Sequence, residues 1–210
     1  QIIDNILSMK PNPIVLTFEF DPTYTGGKRI KKTMTPEQIA QFESFVPSRD
    51  SSDARPKFVQ VERGGQITYH GPGQMVAYVI MDLKSFDNFP ARCFVSGLED
   101  SVISTLKNLK VGDGQQALDI DAKLTEETGV WTVDNKKIAS LGIHVRRSVT
   151  SHGVSINVNP DLSYMTSFEM CGLPGVLPTS VEKQRPDVVL NVQDVAVKFV
   201  NELAKTLGVS

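Results

Sequence analysis

Alternating and four-residue repeats of apolar positions divide this chain into strands and helices that interleave along its length. In residues 14–20, Ile14, Leu16, Phe18 and Phe20 fall on one face, the two-residue period of a strand. Thr35-Pro36-Glu37-Gln38 supplies an N-cap, a proline at the first helical position and a capping-box glutamine. Ile39, Phe42 and Val46 then follow at helical spacing. Strands are expected at 58–61 and 76–82. After Pro90, Phe94, Leu98, Val102 and Leu106 recur every four residues, which predicts a long helix with one face on a sheet. Short strands are expected near 129–133, 137–147 and 154–158. A last helix should start at an Asn191 cap, turn Val195, Phe199, Leu203 and Leu207 inward, and stop at Gly208. Residues 47–56 (PSRDSSDARP) are polar and turn-rich, a candidate mobile surface loop.

Hairpins dominate the middle of the chain and no regular βαβ alternation appears. That predicts an α+β fold with a mixed, largely antiparallel sheet and flanking helices, residues 1–210 forming a single domain. Composition is that of an ordinary core-forming chain, 40% hydrophobic and 22% charged over 210 residues. A net charge of -2 argues against nucleic acid as the main partner. The longest apolar run, 75–81, is too short to span a bilayer, so no membrane partner is expected. Two cysteines, Cys93 and Cys171, make no disulfide framework and point to a reducing compartment. The chain starts at Gln1, which leaves open whether a leader was removed or the chain trimmed.

The candidate chemistry concentrates in a few places. Residues 63–74 (RGGQITYHGPGQ) set four glycines and several hydrogen-bonding side chains between two apolar runs, a loop suited to the close approach of another molecule. The three histidines, His70, His144 and His152, form no HxxxH pair and the cysteines no CxxC, so no metal site is expected. Cys171 is followed closely by Gly172, Pro174 and Gly175. It is either a thiol that a bulky electrophile can reach or a buried, inert cysteine. Cys93, beside Phe94 in the helical pattern, reads as a packing residue. A reactive thiol needs a cationic neighbour. If 136 and 137 begin a strand, Lys137 shares a face with Ala139 and Leu141 and can set its amine in a cleft, while Lys136 is solvated. Plain surface charge is the other reading of that pair. The GGKRIKK cluster, with Lys28, Arg29, Lys31 and Lys32, is either a docking patch for an acidic partner or a solvated hairpin.

RGGQITYHGPGQ, KIASLGIHVRR, SHGVSINVN and CGLPG, in this order and spacing, resemble the octanoyltransferase family, also called lipoyl(octanoyl) transferases or lipoate biosynthesis protein B. The resemblance runs from about residue 14 to residue 179. It is distinct from the ATP-dependent lipoate ligases, which typically carry a serine- and glycine-rich block ending in aspartate after the histidine. It also lacks the GRGRxG loop of biotin ligases. The resemblance implies the fold shared by biotin and lipoate protein ligases. It further implies transfer of an octanoyl group from octanoyl-acyl carrier protein to a lysine of lipoyl domains, through a thioester on an enzyme cysteine and without a cofactor.

Residue by residue, it implies Cys171 as the nucleophile and Lys137 as the group that lowers its pKa. The positions that match the acyl pocket are Arg63, Gly64, Gly65, Gln66, Ile67, Thr68, Tyr69, His70, Ser140, Leu141, Gly142, Gly153, Val154 and Ser155. Once deprotonated, Lys137 can serve as the base in the second step, with His70 as the runner-up. The implied acceptors are the lipoyl domains of 2-oxoacid dehydrogenases and the glycine cleavage H protein. The implied compartment is the mitochondrial matrix, with a bacterial cytoplasm as the alternative. Three positions depart from the family: Glu19-Phe20-Asp21-Pro22 lacks a pocket histidine, Met170 stands for a proline, and Val79 replaces another. The readings that compete are an ATP-dependent ligase of the same fold and a non-catalytic module that binds lipoyl domains.

Overall fold

The computed structural model describes residues 12–49, 55–86, 89–112, 114, 116–170 and 174–208. Local signals set several element ends. Helix α1 (Pro36–Glu43) begins with the complete Thr35–Gln38 capping box and Pro36 in its first turn. Helix α4 (Val192–Leu207) is capped by Asn191, with Asp194 closing the box, and ends on Gly208 in the left-handed region, at φ 65°. Helix α2 (Ala91–Asn108) buries Phe94, Leu98, Val102 and Leu106 completely. A single helical turn, α3 (Val181–Gln184), precedes α4.

Six strands form the main sheet in the order β1 (Ile14–Phe18), β5 (Gln74–Ile80), β11 (Val149–Asn157), β10 (Lys137–Arg146), β9 (Val130–Thr132) and β8 (Ala122–Lys123). Every neighbouring pair in it is antiparallel. A second sheet orders β3 (Lys57–Gln60), β2 (Thr23–Gly26) and β4 (Ile67–His70), with β2 and β3 parallel. A small hairpin pairs β6 (Lys110–Val111) with β7 (Gln116–Ala117). The mixed, largely antiparallel α+β architecture expected from the sequence is therefore the one observed.

Helices α2 and α4 pack on each other and on one face of the main sheet, and the large apolar core lies between them. The second sheet stands over part of the opposite face. There Tyr24, Tyr69, Leu162, Tyr164, Met165 and Met170 form a separate cluster, with Tyr69 stacked on Tyr164 at 4.3 Å. Two cavities lie where these two bodies meet.

Four expectations need correction. The row Ile14, Leu16, Phe18 lies on the face away from the helices, with Ile14 54% exposed, and it is Val15 that meets the core. An alternating strand shows which residues share a face but not which face a helix covers. Val46 falls beyond the end of α1 and is 82% exposed. Cys93 is exposed, one position off the buried stripe of α2. Ile67–His70, read as loop because glycines flank it, is strand β4. The expected mobile loop falls partly on 50–54, outside the described residues.

Candidate active site

The 63–66 turn is fixed from both sides before any ligand is considered. Gly27 N donates to the Gln66 carbonyl (2.9 Å), Lys28 N to that of Arg63 (3.0 Å), and Gly64 N to that of Ile143 on β10 (3.1 Å). The Arg63 guanidinium, only 8% exposed, ties the turn together from inside. One terminal nitrogen donates to the carbonyls of Gly64 (2.9 Å) and Gln66 (3.0 Å). The other donates to the Thr25 carbonyl and hydroxyl, both at 2.8 Å. A planar fork with several fixed donors suits this brace in a way that a lysine would not.

Below the turn is a cleft of about 310 Å³. That volume falls at the lower end of the ~300–1,000 Å³ usual for small-molecule sites. Arg63, Gly64, Gly65, Gln66, Ile67, Thr68 and Tyr69 line it from one side, and Ser140, Leu141 and Gly142 from β10 line the other. Val95, Ile143, Met165, Phe168 and Met170 add apolar wall, while Lys137 and Glu127 bring charge.

Lys137 opens β10 and is 3% exposed. Its backbone is pinned to the returning chain: its N–H donates to the Leu177 carbonyl and its own carbonyl accepts from Thr179 N, both at 2.9 Å. Its ammonium donates to the Thr128 carbonyl (3.0 Å) and lies 5.3 Å from the centre of the Trp131 ring, within the range of a cation–π contact. Gly129 makes room for it, since a Cβ there would stand 2.6 Å from Lys137 Cε. Lys136, by contrast, is half-exposed and pairs with Asp134 at 2.8 Å. Cys171 lies outside the described residues, together with Gly172 and Leu173. Its chain neighbour Met170 is buried and lines the same cleft as Lys137.

Residues 1–204 match the lipoyl protein ligase A/B catalytic domain family. The chain is 63% identical, over all of its length, to a protein of Saccharomyces cerevisiae named mitochondrial octanoyltransferase. It is 36% identical to an octanoyltransferase of Legionella pneumophila, over 87% of this chain and 78% of that one. The chain belongs to the octanoyltransferases of this family. It spans 64% of the length of the yeast relative. In fold it resembles a bipartite lipoate protein ligase of Thermoplasma acidophilum, with a TM-score of 0.60 at 18% identity over 95% of this chain and 73% of that one.

The residues expected from the sequence to form the acyl pocket are not all in one cavity. His70, Gly153, Val154 and Ser155 line a smaller space of about 40 Å³, which shares Arg63, Thr68, Ser140, Leu141 and Gly142 with the cleft. Gly153 has a reason of its own to be glycine, because a Cβ would meet the Ala77 carbonyl at 2.3 Å where β11 pairs with β5. The small space has a mixed polar and apolar lining, and His152 enters it from a left-handed backbone position at φ 62°.

His70 is held by a relay that settles its tautomer. Asn157 Nδ2 donates to the Thr179 carbonyl (2.9 Å), so Asn157 Oδ1 accepts from Gln74 Nε2 (2.9 Å). Gln74 Oε1 then accepts from His70 Nδ1–H (2.7 Å), which leaves Nε2 as a bare acceptor. Burial pushes the His70 pKa down to about 4, against the pull of Gln74 and helped by the Arg63 cation. A group so weakly basic, set in the smaller space, does not suit the role of alternative base.

Among the described residues, no group of three or more His, Cys, Asp or Glu is placed to hold a metal. No helix among them is long and apolar enough to cross a membrane. Sequence reasoning missed Glu99, Thr128, Gly129 and Trp131 around the lysine, and Gln74 and Asn157 behind His70. The one available signal was Glu99, an acid on the flank of the apolar stripe of α2.

Proposed function

We propose that the chain transfers an octanoyl group from octanoyl-acyl carrier protein to a lysine amine of a lipoyl domain, by way of a thioester on Cys171. The observation that carries this reading is a buried lysine ammonium in a cleft also lined by the residue preceding Cys171. A free thiol with pKa near ~8.5 is only a few per cent thiolate at neutral pH, and a cation beside it raises that fraction. In the first step the Cys171 thiolate attacks the donor thioester carbonyl and expels the carrier's thiolate, which takes a proton from the Lys137 ammonium and leaves that lysine neutral. One thioester replaces another, so the step is near balance. In the second step the neutral amine of the acceptor attacks the Cys171 thioester. An amide forms, the cysteine leaves as thiolate, and the amine's proton passes to neutral Lys137. The acceptor lysine must itself shed a proton from a group of pKa near ~10.4, which is why a base belongs in this step.

Recognition of the chain follows from the apolar part of the cleft. At ~0.8 kcal/mol per buried methylene, six methylenes supply on the order of 5 kcal/mol. Tyr69, Leu141 and Ile67 wall the cleft against such a chain. Residues 1–210 act as one catalytic domain in this reading, and the name of the yeast relative supports a mitochondrial matrix location. The acceptors are the lipoyl domains of 2-oxoacid dehydrogenases and of the glycine cleavage H protein. Arg29 lines the cleft, and the cationic run it shares with Lys28, Lys31 and Lys32 suits an acidic carrier.

Intact-mass analysis after mixing with octanoyl-acyl carrier protein tests the proposal. The wild-type chain gains one octanoyl mass, labile to hydroxylamine, without ATP, and Cys171→Ala gains none. Absence of both the adduct and transfer to a lipoyl domain would overturn it, and transfer from free octanoate that needs ATP would mark a ligase instead.

A further inference from the structure

Glu99 is buried beside the core-facing stripe of α2, at 9% exposure. A carboxylate taken out of water is costly unless it is hydrogen-bonded. Glu99 Oε1 accepts from the Gly129 N–H at 3.0 Å. The carbonyl of that same peptide unit, on Thr128, accepts from Lys137 Nζ, also at 3.0 Å. A peptide unit is planar, and in its trans form the N–H and C=O point to opposite sides. One rigid amide therefore has Glu99 at one end and the lysine ammonium at the other. A negative group at the N–H polarises the amide and makes its oxygen a stronger acceptor. Burial pushes the Glu99 carboxyl up and Asp100 adds to this, while the Gly129 N–H and the Lys137 cation oppose both.

The geometry points to Glu99 as a positioning residue that fixes the Lys137 ammonium through the Thr128–Gly129 peptide. The inference rests on the role proposed above for Lys137. Glu99 itself is not among the residues that line the cleft, so it acts through another group. It reaches across from the helical layer, and with it α2 becomes part of the chemistry and more than a cover for the sheet.

The test reads the thiol directly, in a Cys93→Ser background that leaves Cys171 as the one cysteine of the chain. The rate of iodoacetamide alkylation is followed against pH, and its midpoint reports the titration of Cys171. Arg29, Arg63 and Glu127, which line the same cleft, stay unchanged throughout. Lys137→Ala raises the midpoint, because the cation that favours the thiolate is gone. Glu99→Ala raises it in the same direction, by about half a unit or more, and lowers kcat about tenfold with KM for the donor within about twofold. Glu99→Gln, which can still accept from Gly129, restores most of both. Adding Glu99→Ala to Lys137→Ala moves the midpoint no further.

A midpoint unmoved by Lys137→Ala overturns the role given to the lysine, and this inference with it. A midpoint moved by Lys137→Ala but not by Glu99→Ala overturns the inference alone. So does a Glu99→Ala shift that persists in full without the lysine, which marks a general effect on packing. If the alanine variant does not fold, Glu99→Asp takes its place, one methylene short of the Gly129 N–H, with the same outcomes.

Discussion

Replacing Arg63 with methionine keeps most of the side chain's volume and removes the hydrogen bonds to Gly64, Gln66 and Thr25. The carbonyls of Gly64 and Gln66 belong to residues that line the cleft, so water can replace the guanidinium there. Those two exchanges cost about 0.5–1.5 kcal/mol each. Thr25 is 7% exposed, and its carbonyl and hydroxyl lose a charged donor where water does not readily follow. That adds about 1–3 kcal/mol. The expected loss is therefore about 2–6 kcal/mol, which for a chain of this size lowers the melting temperature by roughly 4–24 °C. Urea denaturation and thermal melts of Arg63→Met beside wild type measure it. Arg63→Lys should recover little, because an ammonium cannot span the turn and Thr25 together. A melting temperature within about 1 °C of wild type, with acyl transfer abolished, would show that Arg63 serves the substrate and not the turn.

Gly129→Ala places a methyl 2.6 Å from Lys137 Cε and 2.8 Å from the Ala139 carbonyl, at φ 133°. It should lower kcat at least about tenfold while costing about 1–3 kcal/mol of stability, and unchanged turnover would remove Gly129 from the lysine's setting. His70 gives a pH signature. The unfolded chain takes up its proton near pH 6.5 and the folded chain only near 4, so stability is full above 6.5 and declines as pH falls towards 4. The whole decline is roughly 3 kcal/mol, read from urea midpoints across that window. His70→Gln should flatten the profile, and an equal slope in both proteins would count against a neutral buried ring. Reversing Arg29 and Lys32 to glutamate should raise KM for acyl carrier protein with little change in kcat. Identical kinetics at low salt would dispose of a docking role for that run.

Legibility in the sequence followed the range of the interactions. The Thr35 box and the Asn191 cap are complete within four residues, and both appear where the sequence puts them. The stripe of α2 is equally local. Strands were visible as strands, but the orientation of β1 depends on where two distant helices pack, and alternation does not carry that information. The lysine's solvation was readable from its parity with Ala139, whereas its partners come from α2, the 128–129 turn and the segment at 177–179. Nothing in the local sequence of Glu99 or Gly129 announces that they share one peptide with Lys137. The His70 relay is similarly assembled from β4, β5, β11 and the chain after Pro178, so a histidine that reads as a catalytic candidate in sequence is a neutral, tethered ring in the fold.

The segment that carries Cys171 leaves Met170 in the smaller tyrosine-rich cluster and rejoins the main sheet at Thr179. Its two ends are thus moored in bodies with separate hydrophobic interiors. Opening of the smaller body alone, a partial event cheaper than loss of the whole fold, moves one mooring while the other holds. In the mechanism proposed above, acyl transfer is then as durable as the weaker of the two interiors, and activity should fade on warming before the sheet melts.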